Sequence, residues 1–217
     1  VLRRVIRWVD AARVLKELQN ARVGVIGWPF EGMGDFAPSS EDFSEEIGLR
    51  CVNWTEKDSA GFIPSRGNAQ VERELQRDRS TFDCSAIDSE CHVRSVVSGL
   101  ALREWIRANG LNAVTMNFLA FTGALGFPTV PFLEVSREMG NGVGYAGEGD
   151  VLTAAFVRAL LSVFPETTFT EMFCPDWEGQ RIFLSHMGEI NLALADTVPR
   201  LSERSFPFTD CENPAVP

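Results

Sequence analysis

Val23-Gly24-Val25-Ile26-Gly27 carries no polar side chain. A strand that offers water nothing on either face is one covered by helices on both sides, as in a parallel sheet. The flanking sequence agrees. Leu2 to Leu18 place Val5, Ile6, Val9, Ala12, Val14, Leu15 and Leu18 at helical spacing among Arg and Lys, which reads as an amphipathic helix. After the strand, Trp28 to Ser40 is rich in Gly and Pro and reads as the loop leaving its C-terminal end. Acidic Glu41 to Glu46 reads as a solvated helix face, and Arg50 to Trp54 as a second strand.

The alternation continues downstream. A helix is expected around Gln70 to Arg77 within polar Thr55 to Arg79, and another at Val93 to Ala108, closed by Asn109-Gly110 as a C-cap. Leu111 to Leu133 holds no charged residue, yet Asn112, Asn117, Gly123, Gly126, Pro128 and Pro131 interrupt it. A strand at Leu111 to Phe118 followed by a loop therefore explains it better than a membrane span. Phe132 to Met139 reads as helix, and Val151 to Phe164, apolar nearly all round, as a buried helix. Thr167 to Phe173 and Arg181 to Ser185 read as strands separated by a turn at Pro175-Asp176-Trp177-Glu178-Gly179. The expected fold class is α/β: an open, largely parallel sheet flanked by helices over residues 1–167, with 168–217 beginning a β-rich C-terminal domain.

Composition sets limits on function. With 217 residues, 45% hydrophobic and 23% charged, the chain has the makings of a packed core rather than of a disordered one. A formal charge of −10 with no basic patch argues against nucleic acid and anionic membranes as partners. Cys51, Cys84, Cys91, Cys174 and Cys211 are odd in number and scattered, which suits a reducing cytoplasm rather than a disulfide framework. Cys84, Cys91 and His92 lack the paired CxxC spacing of a zinc site and read as ordinary helix residues. Val1 stands where a Met would, with no signal-peptide layout behind it, so a piece of a longer protein is expected.

Gly142-Val143-Gly144-Tyr145-Ala146-Gly147 is literally G-x-G-x-x-G and raises a nucleotide-dependent oxidoreductase. The preceding segment reads as helix rather than strand, however, and Glu148 and Asp150 bring negative charge to where a pyrophosphate would sit. The same glycines serve equally to present Glu148 from a loop, with Asp150 capping the next helix; the alternative is that Glu148 is merely a helix-start residue. Glu171, placed mid-strand in Phe169-Thr170-Glu171-Met172-Phe173, would be costly to bury without a cation or donor. His186 ends the following strand. Two carboxylates and an imidazole suit an octahedral divalent cation of the Mn, Co or Mg type, while a lone histidine also serves as a core residue bonded to a carbonyl.

Gly142 to Ala155 resembles the G-[YF]-x-x-EGD-x-x-TAA signature of L-arabinose isomerases. The resemblance continues through Thr170-Glu171-Met172 and His186-Met187-Gly188-Glu189, and more faintly through Ile6 to Ala12. The resemblance implies a metal-dependent aldose–ketose isomerase in which Glu148 and Glu171 are catalytic and, with His186, hold a divalent metal, usually Mn. Phe169, Phe173 and Met187 match pocket-lining, substrate-binding positions. It also implies a fourth His ligand and an N-terminal domain that this chain lacks, and a homo-oligomer, a trimer or hexamer, acting on a small sugar. Set against it is a non-catalytic sugar-binding or oligomerisation module derived from such an enzyme. The sequence predicts that Glu148, Glu171 and His186 meet in one cleft at the C-terminal ends of the strands, where open α/β sheets place ligands.

Overall fold

The computed structural model describes residues 1–33, 38–186 and 188–217. The chain runs α1 (Leu2–Gln19), β1 (Arg22–Ile26), the single turn α2 (Ser40–Asp42) with a π turn at Phe43–Ile47, β2 (Arg50–Asn53), α3 (Glu56–Phe62) and α4 (Ala69–Thr81). It continues with β3 (Asp83–Ala86), α5 (Ser89–Asn109), β4 (Ala113–Met116), α6 (Phe132–Gly140), β5 (Gly144–Gly147) and α7 (Val151–Leu161). The remaining strands are β6 (Glu171–Asp176), β7 (Arg181–Ser185), β8 (Arg200–Glu203) and β9 (Ala215–Val216).

Four strands form the central sheet in the order β2-β1-β4-β5, every pair parallel. Because side chains alternate across a strand, the apolar run of β1 feeds two cores. Val23 and Val25, with Ala113 and Ala146, face Val151, Ala154 and Ala155 of α7. Ile26, Val114, Met116 and Tyr145 face Leu102, Trp105 and Ile106 of α5 and Phe132, Val135 and Met139 of α6. Gly144 is what lets α7 lie down on β5: a Cβ there would stand 2.2 Å from the Ala154 carbonyl oxygen. The expected α/β class and parallel sheet are thus what the chain adopts. The strand order switches between β1 and β4, and open α/β sheets place ligands beyond the strands' C-terminal ends near such a switch.

A second sheet takes β3 from before residue 167 and β8 and β9 from after it, with β8 parallel to β3 and antiparallel to β9. The C-terminal stretch is tied back to the helical layer: Ala215 N–H donates to Ser95 Oγ at 2.8 Å, and Thr129 Oγ1 donates to the Glu212 carbonyl at 2.6 Å. β6 and β7 form a separate antiparallel hairpin. Among the described residues no helix is long and apolar enough to cross a membrane.

Several expected elements need correction. Gly144–Gly147 is an edge strand rather than loop, because its backbone pairs with β4 in register. The strand expected at Thr167 to Phe173 begins only at Glu171 and runs through Cys174-Pro175-Asp176, since the turn lies at 177–180. Pro175 is tolerated there because, among the described residues, β6 pairs with β7 alone and so leaves one edge unpaired. The helix expected from Val93 starts at Ser89, where the Asp88 carboxylate accepts from the Glu90 and Cys91 amides. α7 is not buried all round: it ends at Leu161, and Phe156 and Phe164 are about half exposed, because α1 covers only part of its outer side. α1 itself buries no residue. Part of the loop expected at Trp28 to Ser40, residues 34–37, lies outside the described residues, as does Met187.

Helices α4, α5 and α6 are joined by an ion network. Arg103 donates to both carboxylate oxygens of Glu74 (2.7 and 3.0 Å) and of Glu134 (2.6 and 2.8 Å), while Arg137 pairs with Glu134 and Asp78. Burial opposes ionisation of Glu74, but Arg103, Arg137 and Arg77 outweigh it and hold its carboxyl below the ordinary range. Removing Arg103 takes the bidentate partner from two interior carboxylates and leaves them only the looser pairing with Arg137 and Arg77, so Arg103→Leu is expected to cost about 3 kcal/mol in urea unfolding at neutral pH. A lowered folded pKa gives stability that is present above the unfolded value and lost as pH falls through the folded one. Wild type should therefore lose stability on acidification more steeply than Arg103→Leu, and parallel curves would refute this account of the network.

Candidate active site

The C-terminal ends of β4 and β5, the start of β6 and the end of β7 enclose a cavity of ≈ 330 Å³, within the usual size of small-molecule sites. Its lining includes Glu148, Glu171, His186, Tyr145 and Glu189, with Phe118, Phe132, Phe173, Phe206 and Phe208 as an aromatic wall. The three groups that the sequence singles out, Glu148, Glu171 and His186, therefore open on one cavity. Phe173 lines it too. Phe169 does not; its ring packs edge-on against Tyr145 (centroids 5.6 Å apart) and His186 (4.7 Å), supporting both from behind.

Glu148 directly follows β5 and has φ +64, a left-handed backbone that few side-chain-bearing residues adopt. Asp150 then caps α7, its Oδ1 accepting from Thr153 N–H at 2.9 Å. The helix N-terminus thus carries its own carboxylate, which leaves little for a pyrophosphate at the G-x-G-x-x-G segment. Half-burial of Glu148 raises its carboxyl above the ordinary value, helped by the charge of Glu171 and opposed by His186. Glu171 is exposed at the first position of β6, so the burial cost anticipated for it does not arise.

The imidazole of His186 is held in place by groups that sequence reasoning passed over. Its Nδ1 lies 3.1 Å from Glu189 Oε2, without the alignment of a hydrogen bond, and neither atom has another partner. Burial disfavours the charged ring, but the Glu189 carboxylate more than offsets this and raises its pKa. Glu189 is fully buried, its own pKa raised by that burial against the pull of His186 and of the Tyr145 hydroxyl, which donates to Oε1. On the other side lies Gly147, where a Cβ would only make ordinary van der Waals contact, 3.9 Å from both His186 Nε2 and Tyr145 Oη. Tyr145 was legible as the chain's single tyrosine, inside the glycine motif, and Glu189 as the last residue of the His186-Met187-Gly188-Glu189 motif. The aromatic wall from Phe206 and Phe208 left no such signal.

By donor type, two carboxylates and a histidine with a carboxylate behind it fit a divalent cation. By spacing they fall short of a chelate, because among the described residues no three His, Cys, Asp or Glu side chains stand close enough to hold a metal ion. Cys84 lies in β3, and His92 Nε2 is engaged by buried Asp78 at 2.8 Å, as suits structural residues. A larger cavity of ≈ 670 Å³ lies over the ion network, lined by Arg77, Arg103, Arg107 and Arg137. Its two deepest guanidinium groups are already spent on Glu74, Glu134 and Asp78.

Residues 45–164 match the family described as L-arabinose isomerase central domain. The L-arabinose isomerase of Oceanobacillus iheyensis is 32% identical, over 99% of this chain and 47% of its own length. L-arabinose isomerase 2 of Bacillus licheniformis is 29% identical over 99% of the chain and 47% of its own length, and the L-arabinose isomerase of Leuconostoc mesenteroides 27% identical over 96% and 46%. The chain spans about half the length of the curated relatives it matches.

Tyr145→Phe deletes the hydroxyl donor to buried Glu189, and leaving such an acceptor unsatisfied costs about 1–3 kcal/mol. The loss should be visible in thermal unfolding at neutral pH and smaller at acidic pH, where Glu189 carries a proton and needs the donor less. A loss equal at both pH values would remove the ionised carboxylate from the explanation.

Proposed function

Because this chain belongs to the L-arabinose isomerase family, we propose that its cavity is part of a metal-dependent aldose–ketose isomerase site in the whole protein. The observation that carries this reading is the opening of Glu148, Glu171 and His186 on one cavity at the C-terminal ends of the sheet strands.

The reaction moves one hydrogen between adjacent carbons. A base removes the proton on C2 of the aldose and returns it to C1, while a second proton passes between the oxygens on C1 and C2, so the ketose has the same formula. General bases work best when their pKa approaches the operating pH, and Glu148, raised by burial and by the charge of Glu171, is suited to take the C2 proton. Glu171, exposed and open to solvent, serves the oxygen-bound proton. His186, with Glu189 beside its Nδ1 and its ring packed edge-on against Phe169, lines the ligand space. The phenylalanine wall shields the carbon face of the sugar from water, and Phe173 lies within it.

Glu148, Glu171 and His186 would hold a divalent cation, Mn in the first instance and Co or Mg as alternatives. When bound, such an ion supplies polarisation of the sugar's carbonyl and hydroxyl oxygens. A fourth ligand and the far wall of the site are expected from the rest of a family-length protein, acting as a cytoplasmic homo-oligomer, with residues 168–217 belonging to a β-rich C-terminal domain. The spacing of the three donors, short of a chelate among the described residues, favours a second reading for this chain by itself, a non-catalytic module of the same descent.

The family-length protein is expected to convert L-arabinose to its ketose. Glu148→Gln and Glu171→Gln should each lower kcat/KM by a factor of about 100 or more, the usual worth of a positioned acid or base. Mn or Co should raise its melting temperature, by about 2.7 kcal/mol of stabilisation at a hundredfold excess over Kd, and Glu171→Gln should weaken that shift. Residues 1–217 alone should produce no ketose even with Mn. Ketose formation at comparable rates by the 217-residue chain would overturn the incomplete-site argument, and melting unchanged by metal in the long form would favour the non-catalytic module.

A further inference from the structure

Glu148 is held in its left-handed conformation from outside its own turn. Phe30 N–H donates to the Glu148 carbonyl at 3.1 Å. Gly149, at φ +85, lies so close beneath the loop leaving β1 that a Cβ would stand 2.7 Å from Pro29 Cα and 2.9 Å from the Trp28 carbonyl oxygen. The β1 loop thus acts as a clamp on the peptide unit that follows the Glu148 side chain, and the direction of that side chain follows from the clamp.

The clamp is itself anchored at one residue. Asn117, fully buried at the end of β4 and absent from the cavity lining, donates from Nδ2 to the Trp28 carbonyl at 2.8 Å. Its backbone N–H donates to the Ile26 carbonyl at 3.0 Å, fixing the last residue of β1. Its Oδ1 accepts from Leu119 N–H at 2.9 Å, which caps the short helical turn Phe118–Ala120. The ends of three neighbouring strands are therefore linked in series, from β4 through the β1 loop to Glu148 after β5. The cap on Leu119 needs only an acceptor, which serine, aspartate or asparagine supplies. The bond to Trp28 needs a donor at the end of a side chain of this length, which asparagine alone of these provides.

We propose that Asn117 is a positioning residue for Glu148, acting through the carbonyl of Trp28 and the amide of Phe30. The proposal rests on the reading of Glu148 as the proton-transferring carboxylate. A reacting group displaced by about 1 Å can lose on the order of 100-fold in rate, so a loosened clamp should show in turnover rather than in sugar affinity.

Asn117→Asp separates the two roles of the side chain, because it keeps the acceptor for Leu119 and sets an oxygen against the Trp28 carbonyl. In the family-length protein it is expected to lower kcat on L-arabinose by about tenfold or more with KM within about twofold. Hydrogen exchange should speed up by about tenfold at the Phe30 amide and remain unchanged at Leu119. If Asn117→Asp does not fold, Asn117→Ser, which retains a cap on Leu119 but is too short for Trp28, takes the same two measurements. Unchanged exchange at Phe30 overturns the linkage. Faster exchange at Phe30 with an unchanged kcat, or a change confined to KM, overturns the positioning role. If the wild type converts no aldose, the functional reading fails instead, and exchange at Phe30 alone then decides whether Asn117 holds the turn.

Discussion

The close approach of two backbones, the loop after β1 and the turn after β5, is the constraint around which the cavity is organised. It demands a residue without a side chain at Gly149 and a positive φ at both Glu148 and Gly149. It also demands that β1 and β5, which are not neighbours, keep a fixed separation with β4 between them. The parallel register of the three strands meets that demand, and Thr115 adds a hydroxyl contact from β4 to the Gly147 carbonyl at 3.3 Å. A second glycine does comparable work on the far side of β5, where Gly144 admits α7 to contact distance. Small residues in this segment thus permit two dense contacts, one that packs the sheet and one that aims a carboxylate.

Electrostatics divides the molecule into two regimes. In the ion network, carboxylates and guanidinium groups neutralise one another, and burial is tolerable because each charge has its partner. In the cavity the balance is deliberately incomplete: Glu148, Glu171 and Glu189 face a single imidazole, and burial raises the pKa of both Glu148 and Glu189. The cavity thus gathers more carboxylates than cations, unlike the ion network. The unaligned approach of His186 Nδ1 to Glu189 Oε2 belongs with this imbalance, as a pair in which neither atom has a hydrogen-bond partner, in contrast to the bidentate pairing of Arg103 with Glu74 and Glu134.

Hydrophobic burial is uneven in the same way. The sheet and its helices enclose Trp105, Tyr145, Phe121 and Met116 almost completely, whereas the β6–β7 hairpin exposes Met172, Phe173, Trp177, Ile182, Phe183 and Leu184. A two-stranded hairpin alone is marginal in water. Here it is nonetheless the element that brings Glu171 and, just beyond its second strand, His186 to the cavity rim. The most enclosed part of the site therefore comes from the parallel sheet, and the least covered part from the hairpin.

The amino-acid sequence by itself determined the α/β class, the strand at Val23 to Gly27, the principal helices and the three groups Glu148, Glu171 and His186. Each of these has a local signature: an apolar run with no polar face, a 3.6-residue period, or chemistry-bearing residues in spaced motifs. Boundaries set by pairing were less legible. Gly144–Gly147 becomes a strand only because β4 offers it a ladder, and Glu171 stands exposed at the residue where β6 begins. The β-pattern of Thr167 to Phe173 names suitable residues without naming the partner that fixes their register. Asn117 and the Phe206–Phe208 wall acquire meaning only in three dimensions, and so does the pairing of Tyr145 with Glu189 although each stands in a motif, because a hydrogen bond or a ring contact joins residues far apart in the chain. Hydroxyl, carboxylate and amide positions that read as unremarkable in the sequence are placed side by side by the sheet, and that placement is a property of tertiary packing alone.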